Sequence, residues 1–339
     1  MKRLTPTIPV LAIPVLLLSL LTGCASKPTT PDWVVGNSKQ YQDSQYLIGR
    51  GQGSTQEKAR DRARADLSKI FQVAIAIDSE DIQKFKSDPA ADNNYESHSS
   101  RRISTHSEQI IRGIQIAEHW QDPNTQSHYA LAILPRLQTA ASMRQQLSQL
   151  DSDTSTHIEH SRQSSDLFVK IAAANLAIES QLERESLQRS LQIVDVTGRA
   201  TPSPTSSAKL RSDMNALLKR VKIAPQVADN TPAGFTKIIS GALAKAGFMI
   251  DTGQSPDFIL QSKLVLTDLG FRDGWHWMRG NIELALIESA NDRVRGTKRW
   301  NIKGNAQDKA ITLKRTMNQA DTVLKQELRA AVIEMATSH

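Results

Sequence analysis

The chain contains a single cysteine, Cys24, which stands directly behind an uncharged and largely apolar segment. One cysteine permits neither an internal disulfide nor a thiolate zinc cluster, so the fold must be held by ordinary packing. Of the 339 residues, 39% are hydrophobic and 23% are charged. This balance excludes wholesale disorder and a polytopic membrane protein, and the length predicts about two domains.

The N-terminus has the features of a secretory signal. Two basic residues precede an apolar run from Ile8 to Leu21, which two prolines interrupt and which is too short for a typical spanning helix. The run ends in Leu-Thr-Gly-Cys, which resembles the lipobox of bacterial lipoproteins. That resemblance implies acylation of Cys24. It also implies export to the outer membrane, because Ala25 would be the second residue of the mature chain. An ordinary signal peptide with an incidental cysteine is the alternative.

A glycine-rich segment follows the start of the mature chain. Gly49, Gly51 and Gly53 end an apolar strand, which suggests a dinucleotide site. However, the glycines are spaced G-x-G-x-G and lack the second spacer residue of the dinucleotide-binding motif. An apolar stripe at helical spacing also continues through the position at which that motif would have its second strand. The stripe consists of Ala59, Ala63, Leu67, Ile70, Ala74 and Ile77. We therefore predict one long helix after Ser54, with glycines that turn tightly and approach this helix closely.

Three features of this region resemble the lipoprotein-20 family. They are Pro31-Asp32-Trp33, the strand end Ile48-Gly49-Arg50-Gly51, and the alanine-rich helix behind it. The family comprises outer-membrane lipoproteins with a small α+β domain, some of them associated with motility. The resemblance covers about Pro31 to Leu150 and implies fold and location, without catalytic residues.

The rest of the chain alternates helical and strand patterns. We expect a strand over 101–120 with a bulge near Gln109, a partner strand around Tyr129, and a helix from Pro135 to about Leu150. Two connector helices follow. Behind a linker rich in Gly, Pro and Ser, we expect two helices, a short strand, three longer strands and a terminal helix. This order resembles the TolB amino-terminal domain, as in the flagellar T protein.

The predicted fold class is α+β, with two small helix-on-antiparallel-sheet domains joined by a helical connector. The predicted divisions are a lipoprotein signal peptide at 1–23, a tether at 24–31, a lipoprotein-20-like domain at 32–150, the connector at 151–196, the linker at 197–207 and the second domain at 208–339. The linker composition predicts that limited proteolysis cuts there first.

No catalytic constellation is apparent, so we predict a protein that is not an enzyme and has no metal or cofactor. His157 and His160 flank Glu159 at a spacing that suits a shared metal, but no third ligand accompanies them. The sequence contains neither an H-E-x-x-H nor a G-x-S-x-G motif.

Phe271, Trp275 and Trp277 form the densest aromatic cluster of a chain in which aromatic residues make up only 5%. The two tryptophans share one strand face, which indicates either a stacking surface for a glycan or an anchor for a protein partner. The ordinary alternative is that they cap the core where the strands turn.

The sequence as a whole favours a non-enzymatic scaffold or accessory lipoprotein of an envelope assembly, with the flagellum as one such assembly. It would be anchored to the outer membrane and face the periplasm. A regulator of a peptidoglycan enzyme and a glycan-binding module are the alternatives. The expected partners are outer-membrane lipid, through acylated Cys24, and an envelope protein. Nucleic acid is not an expected partner, because the basic residues are interleaved with acids.

Overall fold

The computed structural model describes residues 29–87, 113–253 and 255–337. The elements are α1 (Asp32–Val35), β1 (Tyr46–Gly53), α2 (Gln56–Ser87), β2 (Gln115–Gln121), β3 (His128–Pro135), α3 (Arg136–Gln163), α4 (Leu167–Val194), α5 (Ser207–Leu218), β4 (Lys222–Val227), α6 (Phe235–Ala246), β5 (Met249–Ile250), β6 (Phe258–Arg272), β7 (Trp275–Glu288), β8 (Arg293–Ala306) and α7 (Lys309–Thr337). This is an α+β fold, as predicted. Cys24, the signal sequence and the bulge expected near Gln109 lie outside the described residues. Among the described helices, none is long and apolar enough to cross a membrane.

The first sheet has the antiparallel order β1-β3-β2, and small residues set how closely α2 packs on it. Gly49 and Gly51 lie beside Ala132 and Ala130 of β3. The buried residues of α2 that meet this flat surface are Ala59, Ala63 and Leu67. A Cβ atom at any of the three β1 glycines would come closer than 3.0 Å to α2. The predicted close approach is therefore confirmed.

The predicted tight turn at these glycines is wrong. Gly49, Gly51 and Gly53 lie inside β1, all on the side that faces α2, and none has a positive φ. What requires glycine is the space taken by the helix backbone, not an unusual backbone conformation. Because one helix occupies the place of a second strand, the dinucleotide interpretation has no structural support.

The opposite side of the first sheet is covered by the segment that precedes β1. Trp33 is only 2% exposed and packs on Leu131 and Ile133 of β3. Its indole N–H donates to Glu118 Oε2 at 2.6 Å. Arg50 donates through Nε to the Trp33 carbonyl oxygen at 2.8 Å. The Pro-Asp-Trp motif and the Gly-Arg-Gly motif therefore contact each other, and their role is to complete the fold.

Helices α3 and α4 form an antiparallel pair that joins two hydrophobic cores. Ser161 near the end of α3 donates to the Lys170 carbonyl oxygen near the start of α4, at 2.8 Å. Two predictions need correction here. The helix expected to end at Leu150 continues to Gln163, because Thr154 is buried and Ile158 packs on the second core. The two connector helices are one continuous helix, α4.

The two ends of α4 belong to different cores. Phe168, Ile171 and Ile178 lie in the core of the second sheet. Leu187 and Leu191 lie in the core between α2, α3 and the first sheet. The apolar stripe of one helix thus contributes to both units, while the predicted domain division stays a prediction.

The linker is held against α4 by buried polar side chains. Arg184 is 2% exposed and donates to Asp151 Oδ1 at 2.9 Å. The same guanidinium donates to the carbonyl oxygens of Thr201 at 2.9 Å and Pro202 at 3.0 Å. Gln181 donates to the Thr205 carbonyl oxygen at 3.1 Å. The side chains of residues 197–206 are largely exposed, but this backbone is pinned to the helix.

The N-terminus of α4 is tied to the second sheet. Asp166 accepts from the N–H groups of Phe168 and Val169, and its second carboxylate oxygen accepts from Arg295 of β8 at 3.1 Å. Burial raises the pKa of Asp166, but the Val169 N–H and the Arg295 guanidinium outweigh burial, so the pKa lies below its ordinary value. The cap and the ion pair together fix where the helix begins.

The second sheet has the order β5-β4-β6-β7-β8. Strands β6 to β8 form the predicted antiparallel meander, but β4 pairs in parallel with β5 and β6, so the sheet is mixed. The sequence analysis missed β4, because it is six residues long and Pro225 interrupts its pattern. Helices α6 and α7 cover one side of this sheet. Gly247, with φ of 90°, ends α6 as predicted.

Candidate binding face

The side of the second sheet that points away from α6 and α7 is the candidate binding face. Side chains alternate along β7 and β8, and the even-numbered ones, such as Ile282 and Ile302, enter the core. We call the other side the open face, which consists of the odd-numbered residues of 261–267, 275–283 and 297–303, together with Arg272 beyond a bulge in β6. Strands of 14 or 15 residues make it long. At about 3.3 Å per residue they extend about 45 Å.

The end of the open face is shaped by the β6–β7 hairpin. Asp273 and Gly274 form its two-residue turn, with φ of 53° and 80°. Positive φ at both central positions is type I′ geometry, which matches the twist of antiparallel strands. Just before the turn, a bulge at Leu269 shifts the register, and Gly270 has φ of 78°. The bulge changes which side the last residues of β6 face.

The structure separates the three predicted aromatic contact residues. Trp275 and Trp277 share the open face, as their spacing predicts. Phe271 lies opposite His276, so the bulge turns it to the other side of the hairpin, where it is 66% exposed. Trp275 is 39% exposed and Trp277 is half-buried. Their participation in binding stays a prediction.

Three cations lie beside the tryptophans on the open face. Arg272 is directly opposite Trp275 on the neighbouring strand, and Arg279 is directly opposite Lys303. Within the described residues none of these three side chains forms an ion pair. Asp273 in the turn is an acid at this end.

Another acid at this end, Asp268, is engaged on the helix side. It accepts from Lys309 Nζ at 2.7 Å and lies 3.4 Å from His276 Nε2. The hydrogen bond from Lys309 and the one from the Gly270 N–H hold the pKa of Asp268 below its ordinary value. The carboxylate therefore stays ionised and paired, and the open side keeps an excess of positive charge.

The end of the open face away from the tryptophans contains a shallow cavity of about 860 Å³. Its walls carry both donors and acceptors. Arg299 pairs with Glu283 at 2.7 Å, and Gln261 donates to Gln226 Oε1 at 3.2 Å. Lys263 lies directly opposite Glu283 on β6. Such a lining can bind a polar, extended ligand and offers little to a purely apolar one.

The histidines do not assemble a metal site in the described part of the chain, where no group of three or more metal-ligating side chains occurs. His157 and His160 lie near the end of α3. The sequence analysis missed a different pair, His119 and His128, whose ring nitrogens Nε2 and Nδ1 are 3.2 Å apart across β2 and β3. Burial, and then the nearby His128 and Arg60, lower the pKa of His119. Only the strand register reveals this pair.

A second missed feature is an aromatic cluster on the first sheet. Tyr41 and Tyr46 stack edge to face with ring centroids 5.3 Å apart, and Trp120 and Tyr129 are also 5.3 Å apart. All four pack around Trp33. They stabilise the sheet rather than forming a separate site. The alternation of Tyr129, Leu131 and Ile133 with Ala130 and Ala132 was the sequence signal for it.

The first unit is thus a three-stranded sheet with a long helix on one side and a tryptophan-bearing segment on the other. Residues 31–134 match the family described as LPP20 lipoprotein. The match covers 104 of the 339 residues and includes both motifs that contact each other around Arg50. The predicted resemblance is confirmed, and it supports a lipoprotein with a membrane-anchored place in the cell envelope.

Three bacterial proteins are among the solved structures that are similar to the chain. A secreted protein of Helicobacter pylori is 13% identical, with 87% of this chain and 98% of that chain covered and a TM-score of 0.40. A minor lipoprotein of Acinetobacter baumannii is 8% identical, with 34% and 90% covered and a TM-score of 0.26. A lipoprotein of Neisseria meningitidis is 12% identical, with 30% and 99% covered and a TM-score of 0.21. TM-scores this low assign no function. Among curated proteins, none matches the chain at a significant level.

Proposed function

We propose that the chain is a non-enzymatic accessory lipoprotein, anchored to the outer membrane, that holds a protein of an envelope assembly through the open face. The observation that carries this proposal is the combination of Trp275 and Trp277 with three cations on one exposed side of a long sheet. Tryptophan and arginine are the residues most often found at the energetic centre of protein interfaces.

The size of the open face supports a protein partner. Its longest run, 275–283, extends about 30 Å, and three strands are about 15 Å wide, so the face covers roughly 450 Å², more than half of the roughly 800 Å² that each side of a standard interface buries. A small ligand would use only the cavity at one end. An extended protein surface can contact both the cavity and the tryptophans.

The non-enzymatic part of the proposal rests on what the open face contains. Its charged groups are cations and a paired carboxylate, Glu283, without a nucleophile next to a base. Arg299 holds that carboxylate at 2.7 Å, an arrangement that suits recognition.

The anchor is tested by the Cys24→Ser variant. A hydroxyl cannot form the thioether, so we expect the variant to lose its acyl chains and to move from the membrane fraction to the soluble periplasmic fraction. The measurement is incorporation of labelled palmitate together with fractionation. Ser26→Ala is the matched control and should stay lipidated. Wild-type palmitate incorporation into Cys24→Ser would refute the anchor.

The open face is tested by site-specific photo-crosslinking in living cells. A photo-reactive phenylalanine replaces Trp277, which lies on the open face, or Phe271, which lies on the other side of the same hairpin. We expect a discrete adduct at position 277 that is at least fivefold stronger than at position 271. Mass spectrometry should identify an envelope protein in it, with flagellar components the first group to examine.

Charge reversal gives the second part of this test. The substitutions Arg279→Glu and Lys303→Glu should remove the adduct at position 277 without lowering the melting temperature, because both side chains are exposed and unpaired in the described chain. Equal adducts at 271 and 277, or an adduct that survives both reversals, would contradict the proposal.

A glycan partner is the second candidate, because two tryptophans on one strand face can stack on sugar rings. Titration of the purified mature chain with soluble peptidoglycan fragments would then change its tryptophan fluorescence in a saturable way, and Trp275→Ala would abolish that change. We expect no saturable response. A saturable fluorescence change that Trp275→Ala abolishes would show that the partner is a glycan rather than a protein.

A further inference from the structure

Strand β8 is a long edge strand, and no strand of the described residues pairs with its outer edge. The Ser289 N–H donates to the Asp257 carbonyl oxygen at 3.0 Å, which fixes the hydrogen-bonding pattern of the meander. Odd-numbered residues of β7 therefore bond to β6, and even-numbered residues of β7 bond to even-numbered residues of β8. It follows that the backbone N–H and C=O groups of Thr297, Arg299, Asn301 and Lys303 point outward.

The edges formed by β1 and β5 are protected, in contrast to β8. On β1, the Arg50 N–H donates to Asp66 Oδ2 at 3.0 Å, and the Gln52 carbonyl oxygen accepts from Arg62 at 2.7 Å. Strand β5, at the far side of the second sheet, is only two residues long. Short strands and covered edge groups are the usual ways to prevent a further strand from adding.

On β8 the described residues cover one end of the outer edge. Arg315 of α7 donates to the Asn305 carbonyl oxygen at 2.8 Å. Within the described part of the chain, no hydrogen bond reaches the outward groups of residues 297, 299, 301 and 303. Their side chains are exposed as well. Four consecutive outward positions are enough to pair with a segment of about seven residues.

The charge of β8 indicates which segment fits. The strand carries five cations and no acid. Arg295 and Lys298 pair with acids of this chain, and Arg299 pairs with Glu283 at 2.7 Å, whereas Lys303 forms no ion pair in the described chain. A second copy paired antiparallel about Asn301 would put Arg299 opposite Lys303, and like charges directly opposite each other destabilise a sheet. A strand with acids at alternate positions has no such conflict.

We infer that the outer edge of β8 binds an extended acidic segment of a partner protein as a sixth strand of the second sheet. The backbone groups of residues 297–303 supply the hydrogen bonds, and Lys303 on the open face selects the acidic side chains, with Arg299 contributing beside its pair with Glu283. The inference deepens the proposed function and rests on it only for the partner being a protein.

The test uses the purified mature chain and a fluorescent heptapeptide that alternates Glu and Val. We expect saturable binding by anisotropy at low salt. A peptide that alternates Lys and Val should bind at least tenfold more weakly, because it meets Arg299 and Lys303. The Glu-Val peptide with alternate amides N-methylated should also lose at least tenfold, because it cannot complete the ladder.

Two variants separate the backbone from the side chains. Asn301→Pro removes one outward N–H and no bond to β7, so it should lower the affinity at least tenfold and leave the melting temperature within a few degrees. Asn301→Val keeps that N–H and is the matched control, with unchanged affinity. Equal binding by Asn301→Pro, equal binding of the Lys-Val peptide, or a concentration-dependent dimer that Asn301→Pro abolishes would each overturn the inference.

Failure of this inference is distinguishable from failure of the proposed function. If the adduct at position 277 forms in cells but the Glu-Val peptide does not bind, the partner uses the open face without adding a strand. If the peptide binds and no adduct forms, β8 is a strand-binding edge and the role assigned to the tryptophans is wrong.

Discussion

In the Gly51→Ala variant, the first unit should be unfolded under conditions in which the wild-type chain is fully folded. A Cβ at Gly51 would come closer than 3.0 Å to the Ala59 carbonyl oxygen, the Ala63 nitrogen and the Arg62 carbonyl carbon. All three are backbone atoms of α2, so no side-chain rotation relieves the clash. Overpacking typically costs about 1–3 kcal/mol. Because all three contacts are with helix backbone, we expect a destabilisation at the upper end of this range, about 3 kcal/mol.

The measurement is thermal unfolding of the mature chain, with hydrogen exchange at β1 and β3 to locate the loss. For a unit of about 100 residues, 3 kcal/mol corresponds to a fall in melting temperature of roughly 15 °C. The matched control is Gly36→Ala, where the nearest atom to the new Cβ is 3.7 Å away. That variant should melt with the wild type. A Gly51→Ala chain that also melts with the wild type would show that β1 and α2 are not packed this closely.

Arg184→Ala should destabilise the chain to a similar extent and also release the linker. The substitution leaves the Asp151 carboxylate without its cation and removes the donors of the Thr201 and Pro202 carbonyl oxygens. Removing one partner of a buried ion pair costs about 3–5 kcal/mol. Because Asp151 remains 24% exposed, water can replace part of the loss, and we expect about 3 kcal/mol.

Limited proteolysis reads out the linker separately from global stability. In native conditions the segment at 197–207 should be cut at least tenfold faster in Arg184→Ala than in the wild type, since its backbone is no longer pinned. The control is Arg64→Ala, which breaks an exposed pair with Asp61 and should cost less than about 0.5 kcal/mol. Unchanged cleavage in Arg184→Ala would mean that the exposed Pro-Ser segment is equally accessible with the contacts intact.

The sequence predicted those helices and strands whose apolar residues follow a single clear periodicity. Apolar steps of three and four located α2 and α7, and alternation located the meander strands, because each pattern reports a face that must be buried. The length of α3 was not predictable in this way. Ser, Thr and Asp residues beyond Leu150 are weak helix formers, and they are helical because Thr154 and Ile158 pack beside α4.

The candidate site shows a different kind of limit. The position of the two tryptophans on one face followed from their spacing, since no irregularity separates them. Phe271 could not be placed, because one extra residue, Leu269, reverses the side that later residues face. The free edge of β8 was equally inaccessible, because it depends on strand order and on which residues bond across each pair. Strand order and hydrogen-bonding register cannot be recognised from the local sequence.

The sharing of α4 between two cores has a mechanical consequence. A helix of 28 residues rises about 42 Å at about 1.5 Å per residue, and its two ends are embedded in different units. Tension between the membrane and a partner on the second sheet would load this helix along its axis, with hydrophobic contacts gripping both ends. With the proposed anchor and partner, this helix would form a rigid connection between the first unit and the partner. The tether predicted at 24–31 would then set how far the first unit can move from the bilayer.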